Sequence, residues 1–202
     1  MHRLLALLFA GALACAHAQD GVPAAPPADA PLQQTGDGGL DPAVVARIKA
    51  MPHGTRPDPS TYLAPAYIAA HLAQFDLGAC RFSVDAKVRK YGVGQQDGSS
   101  FVMPCGAAEQ LVQSSAGDRP TLEAALGLPA HTLDGELILI KIARPRALGL
   151  RIPSGNEAGA NAAWIPGGRL PDGGLEAVVT ITAVLARKFE VIPIPLQQDR
   201  PR

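Results

Sequence analysis

The stretch from Arg151 to Glu176, RIPSGNEAGANAAWIPGGRLPDGGLE, limits what this chain can fold into more than any other. It separates two apolar, β-branched runs that read as core strands, yet it holds six of the 21 glycines, three prolines and the only tryptophan. A loop longer than about 12–15 residues inside a compact domain is functional or disordered. Pro153, Pro166 and Pro171 limit its floppiness, and its glycines allow close backbone approach. Arg151 can hold a phosphate or carboxylate in a forked geometry. Ser154, Asn156 and Asn161 offer donors and acceptors, and Trp164 offers a stacking face. Glu157 and Glu176 are candidate acid, base or electrostatic groups. The competing reading is a structural loop that buries its tryptophan and caps its own carbonyls. No Gly-Lys-Ser/Thr follows it, and no Gly-x-Gly-x-x-Gly precedes a helix, so it is not a nucleotide phosphate loop.

The N-terminus reads as an export signal. His2 and Arg3 precede an apolar run from Leu4 to Leu13, about ten residues long and too short to span a bilayer. Ala16-His17-Ala18 forms an A-x-A cleavage site, which starts the mature chain at Gln19 and places it in the periplasm or outside the cell. Lipidation at Cys15 is the alternative. Cleavage leaves Cys80 and Cys105, and an even pair in an exported protein reads as a disulfide. Its loop of about 26 residues would contribute about 3 kcal/mol. A Cys nucleophile would need a reduced thiol. No His lies at ligand spacing to either cysteine, so no metal is expected. With 18 basic and 18 acidic residues there is no polybasic footprint, and electrostatics do not demand a nucleic-acid partner.

Residues 19–60 read as a Pro/Ala/Gly-rich tether, too poor in bulky apolar groups to offset ordering entropy. A short helix interrupts it near 42–51, where Asp41 caps Pro42 and Val44, Ile48 and Met51 share a side. The domain is expected over 61–196, with a polar tail at 197–202. Helices are expected from Pro65 to about Phe75, from Gly106 to Ser115 and from Pro120 to Leu126. Strands are expected at Ala79–Val84, Phe101–Met103, Glu136–Ala143, Ala147–Ile152, Leu175–Ala183 and Phe189–Ile194, with 85–100 as a loop. Helices first and strands later predict a single α+β domain, its N-terminal helices packed on a mostly antiparallel twisted sheet.

Two further groups carry candidate chemistry. His71 sits on the apolar face of the helix from Pro65, either as a core residue or as an acid–base group if that helix meets the long loop. Arg81, Lys87, Arg89 and Lys90, followed by Tyr91-Gly92, form either a pyrophosphate-holding patch or a solvated loop.

From Tyr62 to Ile194 the chain resembles the C-terminal toxin domains of bacterial polymorphic toxins of the haemagglutinin and Rhs types. The resembling pieces include Tyr67-Ile68-Ala-Ala-His71-Leu72-x-x-Phe75, Lys90-Tyr91-Gly92, Phe101-Val-Met-Pro104, Leu122-Glu123-x-x-Leu126-Gly127-Leu128, the loop from Arg151 to Gly168, and Glu176-Ala177-Val178. More loosely, the order of basic residue, Tyr-Gly, Phe-Val-x-Pro and a late acidic residue is similar to NAD-glycohydrolase and ADP-ribosyltransferase-like toxins. It departs from them in lacking a Ser-Thr-Ser strand and a Glu-x-Glu pair. The resemblance implies NAD as substrate, with Glu176 stabilising the ribosyl cation as nicotinamide leaves. It further implies that Arg81 or Arg89 meets the pyrophosphate and that Trp164 flanks the nicotinamide. Its expected partners are a small nucleotide or a protein target, and an immunity protein. Two other functions fit the residues: a small ribonuclease using His71, and a non-catalytic periplasmic binding module.

Overall fold

The computed structural model describes residues 40–182 and 189–194. The export signal, most of the Pro/Ala/Gly-rich stretch, the residues after Thr182 of the strand expected to reach Ala183, and the polar tail lie outside them. The described chain is an α+β domain with a fully antiparallel five-stranded sheet. In order come α1 (Pro42–Ala50), α2 (Pro65–Ala73), β1 (Ala79–Val84), α3 (Asp85–Tyr91), β2 (Ser99–Pro104), α4 (Cys105–Ser115), α5 (Arg119–Ala125), β3 (Leu137–Ile142), β4 (Ala177–Thr180) and β5 (Glu190–Pro193). The strands lie side by side as β4-β2-β1-β3-β5. Among the described residues no helix is long and apolar enough to cross a membrane.

Alternation along the strands divides the interior into two cores. Cys80, Phe82, Met103, Leu137 and Leu139 face α4 and α5, meeting Ala108 and Leu122. Ala79, Val102, Ile138, Ile140, Ala177 and Val179 face the other way, toward Phe75 and Leu72. Cys80 and Cys105 are bridged, with their Cα atoms 4.8 Å apart, which ties β1 to the start of α4. α5 is capped by Asp118, whose carboxylate accepts from the Thr121 N–H at 2.9 Å.

Three expectations from the sequence are corrected. Residues 85–91 are helical rather than looped: α3 starts on Asp85, a favourable charge for a helix N-terminus, and Arg89 pairs with it one turn later. The strand expected over 147–152 is absent. Pro145 opens a 3-10 turn over Pro145–Leu148, and only Arg151 then bridges Val178. Packing also begins before Thr61. Val44 and Ile48 of α1 are buried with Tyr62, Leu63, Ile152 and Trp164 in a third cluster, so the expected tether is part of the domain from Leu40 onward. Two apolar residues at i, i+4 suffice once the long loop supplies a surface to cover.

β1 and β2 do not zip along their full length. Their ladder holds only Ala79↔Pro104 and Cys80↔Met103, although β1 continues to Val84 and β2 begins at Ser99. β1 meanwhile pairs with β3 through all six residues, Ala79 to Val84. The connection between β1 and β2 carries α3 instead of a tight hairpin turn, which lets the two strands splay. On the side of the Ala79–Ile140 core, Arg81 spans the gap by donating to the Val93 carbonyl and, at 2.8 Å, to Ser100 Oγ.

Candidate functional site

A cavity of about 670 Å³ fills the splay. Its walls include Phe82 and Phe101 from the parted strands, the Leu126–Pro129 turn after α5, and Asn161, Trp164 and Glu176 from the long loop. Its size falls within the usual range for small-molecule sites, about 300–1,000 Å³.

Glu176 stands where the long loop becomes β4. The next residue, Ala177, pairs with Val102 and points into the Ile138–Ile140 core, so alternation turns Glu176 to the opposite face, where the cavity lies. Its carboxyl makes no hydrogen bond or ion pair among the described residues. Burial pushes it up to about 8 from an ordinary 4.5, and the charge of Glu157 adds to the push. The carboxyl at the cavity wall is therefore held toward its protonated form.

Glu157 is the opposite case. It is 5% exposed and does not line the cavity. Its carboxylate accepts from the Ser154 N–H at 3.2 Å, from Ser154 Oγ at 3.3 Å and from the Gly155 N–H at 2.9 Å. Arg151 stands 3.5 Å away, half in solvent, and also donates to Thr180 Oγ1. The Ser154-x-x-Glu157 spacing is that of a capping box, here closing a turn instead of opening a helix.

Most of the other loop groups are likewise turned inward. Asn156 pins the incoming segment, accepting from the Gly54 N–H at 2.8 Å and donating to the Arg56 carbonyl at 2.9 Å. Asn161 borders the cavity, but its amide donates to the Gly127 carbonyl and accepts from the Ala163 N–H. Trp164 is buried, with the backbone of Gly155 so close to its ring that an added Cβ would stand at 2.7 Å. The Arg56 guanidinium lies 4.8 Å from the ring centre. The indole thus binds α1 and the 52–60 segment to the loop as well as bordering the cavity.

The basic candidates divide. Arg89 is taken by Asp85 and lies off the cavity. Arg81 borders it, but its guanidinium is held by Val93 and Ser100, and burial lowers it to about 10. Tyr91 stands 70% exposed at the rim. Lys87, from the basic run, and Arg169, which the sequence did not single out, also border the cavity. Lys87 donates to the Thr132 carbonyl and Arg169 to that of Gly173, and neither is paired with a carboxylate among the described residues. Nothing local marked Arg169.

His71 is buried and does not border the cavity. It reaches the site only through the main chain, with Nε2 2.9 Å from the Glu176 carbonyl. Of Glu157, Glu176, Arg151 and His71, Glu176 alone lines the cavity. Among the described residues no group of three or more His, Cys, Asp or Glu side chains is arranged to hold a metal ion. The chain matches no protein-family model and no curated protein.

Proposed function

We propose that the chain is an exported, toxin-like enzyme acting on NAD, as a glycohydrolase or an ADP-ribosyltransferase, with Glu176 as its catalytic residue. The observation that carries this reading is a carboxyl with no counter-ion among the described residues, opening into a cavity with aromatic walls and cations at its border. Such a site suits a ligand that is cationic and aromatic at one end and anionic elsewhere, as NAD is. A nicotinamide cation entering the cavity favours the ionised form of Glu176, so binding expels the proton that burial retains. The carboxylate then faces the ribosyl cation that develops as the C1′–N bond breaks and nicotinamide leaves with the electron pair. Water, losing a proton, or an acceptor side chain takes C1′. Lys87 and Arg169 replace Arg81 and Arg89 as the groups for the pyrophosphate.

The test is nicotinamide release from NAD by the oxidised, mature chain. The expected result is turnover whose kcat/KM rises with pH through about 8, as Glu176 ionises in the free enzyme. Glu176→Gln should lower kcat about 10²–10³-fold. A folded chain that releases no nicotinamide and modifies no added protein overturns the reading.

One observation favours a second reading, a non-catalytic binding module: Glu157, Arg151 and His71 do not line the cavity with Glu176. Trp164 fluorescence that responds to NAD without turnover would select it. The ribonuclease reading is not carried forward, because His71 stands outside the cavity.

A further inference from the structure

We infer that His71 is the positioning residue of Glu176, and that it works as a fixed Nε2–H hydrogen-bond donor to the Glu176 carbonyl. This rests on Glu176 being the reactive group of the cavity.

Glu176 lies one residue outside the β4–β2 ladder, whose last rung is Val102↔Ala177, so no strand neighbour holds its peptide unit. Two other contacts do so. Its N–H donates to the Gly168 carbonyl at 2.8 Å, and its own carbonyl meets His71 Nε2 at 2.9 Å. A carbonyl oxygen only accepts, so Nε2 carries the proton and the bond selects the tautomer. His71 is 4% exposed, with its ring between Tyr67 and Phe75 at centroid distances of 5.7 and 5.8 Å. Nδ1 has no partner among the described residues. A second proton there would be buried without an acceptor, with the Arg169 cation opposing it as well. The ring is therefore unsuited to proton transfer and suited to a fixed donor.

Gly168 closes the clasp from the other side. It has φ +72°, and a Cβ built on it would lie 2.6 Å from the Glu176 carbonyl oxygen and 2.9 Å from His71 Cε1. Only glycine leaves room for the imidazole to reach that oxygen. The groups facing His71 are thus Tyr67 on its own helix, Phe75 in the turn after it, and Gly168, Arg169 and Glu176 from the loop. The carboxyl of Glu176 takes its direction from a residue whose two flanking peptide units are each held, in a position where a small misplacement of a reacting group is costly.

The closing experiment reads the clasp without turnover. In the wild-type chain, ¹⁵N NMR of the imidazole should show an Nε2–H tautomer that titrates below the ordinary histidine range, because burial opposes the charged ring. An Nδ1–H tautomer, or titration near 6.5, overturns the proposal whether or not any variant folds. In ¹³C-carboxyl-labelled protein, His71→Gln, whose amide N–H can replace the donor, should keep the Glu176 midpoint. His71→Leu, which fills space without a donor, should move it toward the ordinary glutamate value. Where NAD is turned over, His71→Leu should lower kcat up to about 10²-fold with KM little changed, and His71→Gln should restore most of it. A folded His71→Leu chain with an unchanged Glu176 titration sinks the clasp and leaves the assignment of Glu176 standing. Inactivity of the wild type with the NMR signature intact sinks the enzymatic reading alone.

Discussion

The two ends of the long loop carry the same side chain in opposite circumstances. At Glu157 the protein surrounds a carboxylate with the N–H groups of Ser154 and Gly155 and the Ser154 hydroxyl, and sets Arg151 nearby. At Glu176 it gives a half-buried carboxyl no donor among the described residues and turns it into a cavity. The first arrangement holds the turn from Arg151 to Gly155 in place. The second leaves a group whose charge is decided by whatever enters. A carboxyl held toward its protonated form at the wall of a cavity marks the end of the loop where function is to be sought.

The comparison breaks most readily at Glu157. Glu157→Ala should destabilise the fold by about 3–5 kcal/mol, because it strands buried main-chain donors at Ser154 and Gly155. Urea unfolding should show a lower midpoint at an unchanged slope. A loss below about 1 kcal/mol would mean that the two ends are not different in kind.

At Glu176 the sign reverses. Its folded pKa, about 8, lies above the ordinary 4.5. Between those values the folded chain keeps a proton that the unfolded chain has released, so stability falls as pH rises and levels off above about 8. Glu176→Gln removes that slope. It should match wild type near pH 4.5 and exceed it by about 1–3 kcal/mol at pH 8, with solvent in the cavity holding the difference below the full 1.4 kcal/mol per unit. Melting temperatures of both chains across this range decide it: parallel curves would place the Glu176 carboxyl in an ordinary, hydrated setting.

What the sequence made legible follows the range of the interactions involved. The strands at β1, β2 and β3 and the cap at Asp41 are local patterns and emerged near their final boundaries. The Ser154-x-x-Glu157 spacing was equally local, and could have shown that this glutamate is engaged by its own turn. α3 was missed because its seven residues carry little apolar periodicity and depend on an Asp85–Arg89 pair. The isolation of Glu176, the capture of Arg81 by Val93 and Ser100, and the arrival of Arg169 at the cavity depend on which chain segments meet across the splayed strands. Residue types alone could not tell Glu157 from Glu176, or Arg169 from Arg151.

Arg151 supplies the smallest effect and the finest distinction. As the loop's first residue it looks like a ligand clamp, and in the fold it stands 3.5 Å from Glu157, off the cavity and half in solvent. A partly exposed pair contributes little, and Glu157 already has its main-chain donors. Arg151→Ala should therefore cost less than about 1 kcal/mol, and less still in high salt. It should leave the KM for NAD within about twofold, whereas loss of a phosphate-holding arginine would raise it by about tenfold or more. Arg169→Ala is the matched control, because that guanidinium does border the cavity. If Arg151→Ala raised KM and Arg169→Ala did not, the ligand would lie across the Glu157 end of the loop, and the roles assigned to the two glutamates would have to be exchanged.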